Sequence, residues 1–129
     1  MGLAERRKIK DLQDNTFQDR AREIEEITGI AIPYEVDWDS FADDMEALHF
    51  LDNISCHRIN MALRVICADD IGKEAIPGLK RIKLKNVKTP SDMLMTFTDG
   101  VLEMHCAYAL RTDGMYGDLK IQEFLTNHL

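Results

Sequence analysis

The chain has 129 residues, a net charge of −7, 45% hydrophobic residues and 30% charged ones. That length suffices for one hydrophobic core and the composition excludes a disordered chain, so a single domain over 1–129 is expected. The acidic balance argues against a nucleic-acid partner, which needs a basic footprint, and no apolar run approaches bilayer length, which argues against a membrane partner.

The first residues are basic but lack a following apolar segment, so no secretory signal is read there. Gly2 opens a myristoylation-like start that Arg6 contradicts, because that motif wants Ser or Thr at the sixth position. Three cysteines, an odd number without a C-x-x-C pair, fit reduced thiols and a cytoplasmic location.

Residues 4–28 read as a helix stopped by Gly29. Its apolar stripe of Ile9, Leu12, Phe17, Ile24 and Ile27 is thin and interrupted at Thr16 and Arg20. Such a helix suits packing across a core or on a second subunit. Ile32 to Trp38 follows as a short strand, with Pro33 placing it at an edge or marking its start. The charge deficit concentrates next, in Glu35, Asp37, Asp39, Asp43, Asp44, Glu46 and Asp52.

Residues 40–68 read as one unbroken helix, capped by Ser40 with Asp43 three residues on. At about 100° per residue, Ala47, Leu48, Leu51, Ile54, Ala62, Val65 and Ile66 gather on one side. The opposite side carries His49, Asn53, Cys56 and Asn60, flanked by Glu46, Asp52, His57 and Arg64. Imidazole, thiol and amide groups coordinate, exchange protons or hydrogen-bond specifically, so this polar stripe is the place to seek a ligand site. Arg58 projects into the apolar arc, where a charge must be paired, bind an anion or be turned outward by a bend.

Leu79 to Val87 alternates as a half-buried strand with Arg81, Lys83 and Lys85 outward. Met93 to Thr98 and Val101 to Tyr108 flank Asp99-Gly100, the signature of a two-residue type I′ hairpin. That turn pairs Thr98 with Val101, Phe97 with Leu102, Met95 with Met104 and Met93 with Cys106. A last helix starts at Asp118 and is expected to bury Leu119, Ile121, Phe124 and Leu125. The predicted fold is α+β, in the order α-β-α-β-β-β-α. It has a long central helix, N- and C-terminal helices and an antiparallel sheet of three or four strands.

Chemistry is harder to place. His49 lies about two turns, roughly 10 Å, from Cys56 along the helix axis, and His57 diverges by about 100°. No catalytic dyad can be built from this helix alone, and no catalytic residue is assigned. The adjacent pairs Cys56-His57 and His105-Cys106 each diverge, so no metal site is assigned and no cofactor is expected. Phosphate-binding, dinucleotide and hydrolase signatures are absent from the sequence.

Two classes of function remain. The favoured one is a non-catalytic binding protein, of inhibitor or immunity type, whose acidic segment covers a cationic protein partner or whose acidic and basic segments meet in a homodimer. The alternative is a small-molecule or enzymatic site on the polar stripe, formed by His49, Asn53, Cys56, Asn60 and Arg64 with His105 from the hairpin. If instead the stripe packs on the sheet edge or on a second helix, its polar groups must be hydrogen-bonded there.

Overall fold

Both long helices contain a π-turn, and these turns decide which residues reach the core. The fold, a computed structural model, describes residues 2–129. Helix α1 (Leu3–Asp11) passes through a π-turn at Leu12–Thr16 into α2 (Phe17–Thr28). Phe17 N–H donates to the Leu12 carbonyl, an i→i−5 bond that accommodates one extra residue. The buried stripe of Ile9 and Leu12 therefore resumes at Phe17, and not at Thr16 where an uninterrupted helix would place it. Gly29, at φ +80°, closes α2 with its N–H on the Glu25 carbonyl at 2.8 Å.

Strand β1 (Tyr34–Val36) and a 3₁₀ turn at Trp38–Phe41 lead to the second long helical run. This run comprises α3 (Met45–Phe50), a π-turn at Leu51–Cys56 and α4 (His57–Ile66). The helix expected from residue 40 thus starts five residues later and is not uniformly α. Its N-cap is Asp44, which accepts from Ala47 N–H at 3.1 Å. Ser40 holds the sheet instead, accepting from Asn86 N–H at 2.9 Å and donating to the Asp37 carbonyl at 2.6 Å.

The second π-turn also resolves the position of Arg58. Up to its first residue, Ala47, Leu48 and Leu51 are buried; after it, Ile59, Ala62 and Leu63 are. The extra residue moves Ile59 into the place Arg58 would occupy. Arg58 is rotated to the margin, where it donates to the Tyr116 carbonyl at 3.3 Å. By the same shift Val65 is 51% exposed and Met61 40% exposed.

Helix α5 (Asp70–Ala75), strands β2 (Arg81–Asn86), β3 (Leu94–Thr98) and β4 (Val101–Cys106), and helix α6 (Asp118–His128) complete the chain. With the π-turns dividing both long helices, the order is α-α-β-α-α-α-β-β-β-α. Leu119, expected inside, is 73% exposed.

The sheet is mixed, which corrects the expected antiparallel one. Its spatial order is β1-β2-β4-β3, with β1 parallel to β2, β2 parallel to β4, and β3 antiparallel to β4. The helical crossover between β1 and β2 is long enough to return the chain in the same direction. The hairpin then inserts its second strand, β4, between β2 and β3. Its register matches the turn chemistry from Thr98↔Val101 to Leu94↔His105. Asp99 and Gly100 have φ of +53° and +81°, the positive values that a type I′ turn demands.

The helices cover one sheet face. Ile82, Leu84, Leu102 and Met104 meet Leu48, Leu51, Ile59, Leu63, Ile121 and Leu125 in the core, each contributing roughly 1.5–3 kcal/mol by burial. Edge-on ring contacts of Phe17 with Tyr34 (5.6 Å) and Trp38 (5.5 Å) fasten α2 to the β1 region. The other face bears Arg81, Lys83 and Lys85 of β2 and lies open.

Candidate functional site

The π-turn at Leu51–Cys56 divides the polar stripe. His49, Asn53 and Arg64 are exposed, whereas Cys56 and Asn60 are buried at 0% and 1% exposure. Asn53 turns back on its own helix, donating to the His49 carbonyl at 3.0 Å. His105 lies on the open sheet face, away from the buried pair, because alternation on β4 sends Met104 and Cys106 inward and His105 outward.

Asn60 belongs to a polar network joining α2, β1 and α4. Its side-chain oxygen accepts from Tyr34 OH at 2.7 Å, and its NH₂ donates to Glu23 Oε1 at 2.7 Å. Arg20 donates through Nε to Asp52 Oδ1 at 2.6 Å and through Nη1 to Glu23 Oε1 at 3.2 Å. Arg64 reaches the second Glu23 oxygen at 3.7 Å. Partial burial opposes the charge on Glu23, yet the Asn60 hydrogen bond and the Arg20 cation hold its pKa below the ordinary 4.5. Burial likewise opposes the Arg20 cation, but its bond to Asp52 raises its pKa. Each of these groups has a partner in the network, as interior polar groups require. This is architecture that fixes α2 against α4.

The thiols are poor nucleophiles. All three cysteines are buried and free. Burial raises the Cys56 thiol well above its ordinary value, raises Cys67, and pushes Cys106 up to about 11. At neutral pH they are protonated, and the thiolate is the reactive form. The described residues contain no cluster of three or more His, Cys, Asp or Glu side chains able to hold a metal. They also contain no helix long and apolar enough to cross a membrane.

The acidic segment contracts on folding. Asp52 is engaged by Arg20, Asp44 by Lys88 at 3.1 Å, and Glu35 by Arg81 at 3.4 Å. Asp37, Asp39, Asp43 and Glu46 remain exposed around the turn that enters α3. The basic strand is not remote from this segment. Parallel pairing sets Glu35 beside Lys83, so the two charge groups adjoin within one molecule.

A shallow depression of about 380 Å³ lies on the open sheet face, lined by Glu35, Asp37, Lys83, Lys85, Glu103 and His105 among others. Within it His105 Nε2 and Glu103 Oε2 are 2.7 Å apart.

Pattern reading meets Arg20 only as an interruption of the first apolar stripe and Asp52 only as a flank of the polar one and a member of the acidic segment. It passes over Glu23, although a signal is present in the sequence. Thr16 and Arg58 each interrupt an apolar stripe one residue before an apolar residue, Phe17 and Ile59. That is the mark of a one-residue insertion in each helix.

No family model matches the chain, and neither the curated proteins nor the solved structures contain a significant match to it.

Proposed function

We propose that the protein is a non-catalytic binding protein, of inhibitor or immunity type, that docks a cationic protein through its acidic turn. The supporting observation is how the acids are divided. Glu35, Asp44 and Asp52 are held in internal ion pairs, while the carboxylates of Asp37, Asp39 and Glu46 are exposed within ten residues of chain. Buried, protonated thiols and a network satisfied from within leave the central helix without an available thiolate. An outward carboxylate cluster speeds encounter with a basic surface and selects against acidic partners.

The test uses a basic protein partner isolated from the source cell and purified. Its affinity for the wild-type chain should fall at least tenfold between low and physiological salt. It should fall again on combining Asp39→Lys with Glu46→Lys, with the fold preserved by circular dichroism. Equal affinity for the wild-type and charge-reversed chains would overturn the reading.

A second reading, a small-molecule site, is favoured by one feature: the sheet-face depression with its His105–Glu103 pair flanked by Lys83 and Lys85. This moves the alternative site from the helical stripe to the sheet, with only His105 retained. Perturbation of backbone amide resonances in β2 and β4 by a small-molecule library would select this reading over the first.

A further inference from the structure

The two edges of the sheet are built differently. β1 is three residues long, follows Pro33 and carries Glu35, features that blunt an edge against pairing. β3 is five residues, Leu-Met-Thr-Phe-Thr, without charge, Pro or Gly, and it pairs on one side only. Leu94 is 37% exposed, and Met95 and Phe97 are half-buried at the rim of the core.

The hairpin turn determines which backbone groups of β3 face outward. In a two-residue turn the closing pair, Thr98 and Val101, exchanges both backbone hydrogen bonds, and bonded pairs then alternate along the ladder. Leu94, Thr96 and Thr98 thus direct their N–H and C=O groups at β4. Met95 and Phe97 direct theirs at the open edge.

We infer that β3 pairs antiparallel with β3 of a second copy of this chain about a two-fold axis at Thr96, forming a continuous eight-stranded sheet. This register sets Met95 opposite Phe97 of the second copy, and Phe97 opposite Met95. Four outward N–H groups then find four outward carbonyls. The same pairs juxtapose apolar side chains on the helix side, extending the core across the axis. On the open face Thr96 meets Thr96, and Leu94 meets Thr98. No like charges oppose one another, which a strand with even one Lys or Glu at its centre would violate. Isologous contact of this kind closes on itself as a dimer. It leaves the acidic turn, near the opposite edge, untouched.

Sedimentation equilibrium at tens of micromolar should give a dimer for the wild-type chain. Thr96→Lys should give a monomer with an unchanged circular dichroism spectrum, because the new Lys faces Glu103 within its own hairpin but another Lys across the axis. Thr96→Cys should form a covalent dimer under mild oxidation, since residues facing each other in a non-bonded antiparallel pair stand about 4.5 Å apart, within disulfide reach. The native thiols are buried, so the wild-type chain should not cross-link. A wild-type monomer at this concentration would overturn the inference. So would a dimer that survives Thr96→Lys, or one that Thr96→Cys fails to cross-link.

Discussion

Arg20 and Asp52, thirty-two residues apart in sequence, meet at 2.6 Å where α2 crosses the second π-turn. Both side chains are less than one-fifth exposed, so neither charge can recover full hydration if the other is removed. Arg20→Ala strips the cation from Asp52 and Glu23 together and is expected to destabilise the fold by about 2–4 kcal/mol. Tyr34→Phe removes one hydrogen bond to Asn60, and its cost should be nearer 1 kcal/mol. Urea midpoints of the two variants check the ranking. A smaller loss for Arg20→Ala than for Tyr34→Phe would mean the network does not anchor α2.

The acid limb of stability should report Glu23 and Asp44. Against partial burial, Glu23 is held below 4.5 by Asn60 and Arg20, and Asp44 below 3.8 by Ala47 N–H, Asn86 and Lys88. A carboxylate depressed in the folded state binds protons more readily when unfolded. Its contribution is complete above the ordinary value and is lost as pH falls through the folded one. Stability is therefore expected to be level with respect to these two groups from neutrality down to about pH 5, then to decline below about pH 4.5. Glu23→Gln should shallow that decline, as measured by urea midpoints across the acid range.

Cysteine alkylation separates the fold from catalysis. With all three thiols buried and their pKa values raised, the native chain at neutral pH should react with a thiol reagent far more slowly than the same chain in denaturant. Cys56 should follow the rate of unfolding. Rapid stoichiometric labelling of native Cys56 would instead revive a nucleophilic role for it.

Arg111 occupies φ +57°, ψ −133°, a region that non-glycine residues avoid. Its guanidinium lies 4.9 Å from the Phe50 ring centre, a contact that offsets part of the strain. Arg111→Ala keeps the strain and loses the contact, whereas Arg111→Gly loses both. The Gly variant should exceed the Ala variant in stability by about 1–2 kcal/mol, measurable as a difference in melting temperature.

Legibility from sequence divides along physical lines. The hairpin was readable because Asp99-Gly100 and the Met95, Phe97, Leu102, Met104 alternation specify one register through independent forces. The mixed sheet was not, since nothing local in residues 34–36 or 81–86 states which neighbour either strand will take. Asp44 outcompeted Ser40 as the helix cap because a 3₁₀ turn occupies Trp38–Phe41. The polar stripe was divided by a single extra residue, which put Cys56 and Asn60 inside while His49, Asn53 and Arg64 stayed out. A projection at constant pitch cannot show that, except through the misplaced Arg58.

That extra residue gives the most discriminating prediction. With Asn53 deleted, Leu48, Leu51, Cys56, Ile59, Leu63 and Ile66 fall at spacings of three, four, three, four and three, an unbroken apolar stripe for a regular α-helix. The exposed Asn53 contributes only its bond to the His49 carbonyl, so the deletion should still fold, with the π-turn replaced by α-helix. Its main loss should be any displacement of Asp52 from Arg20, about 1–3 kcal/mol. Deleting Met61, which is also exposed, turns the rest of α4 by about 100° relative to the core. Leu63 would leave its place, and no π-turn exists there to absorb the change. Urea denaturation should therefore show a cooperative transition for the Asn53 deletion and none for the Met61 deletion. Equal damage from both would mean that the π-turn does not hold an inserted residue.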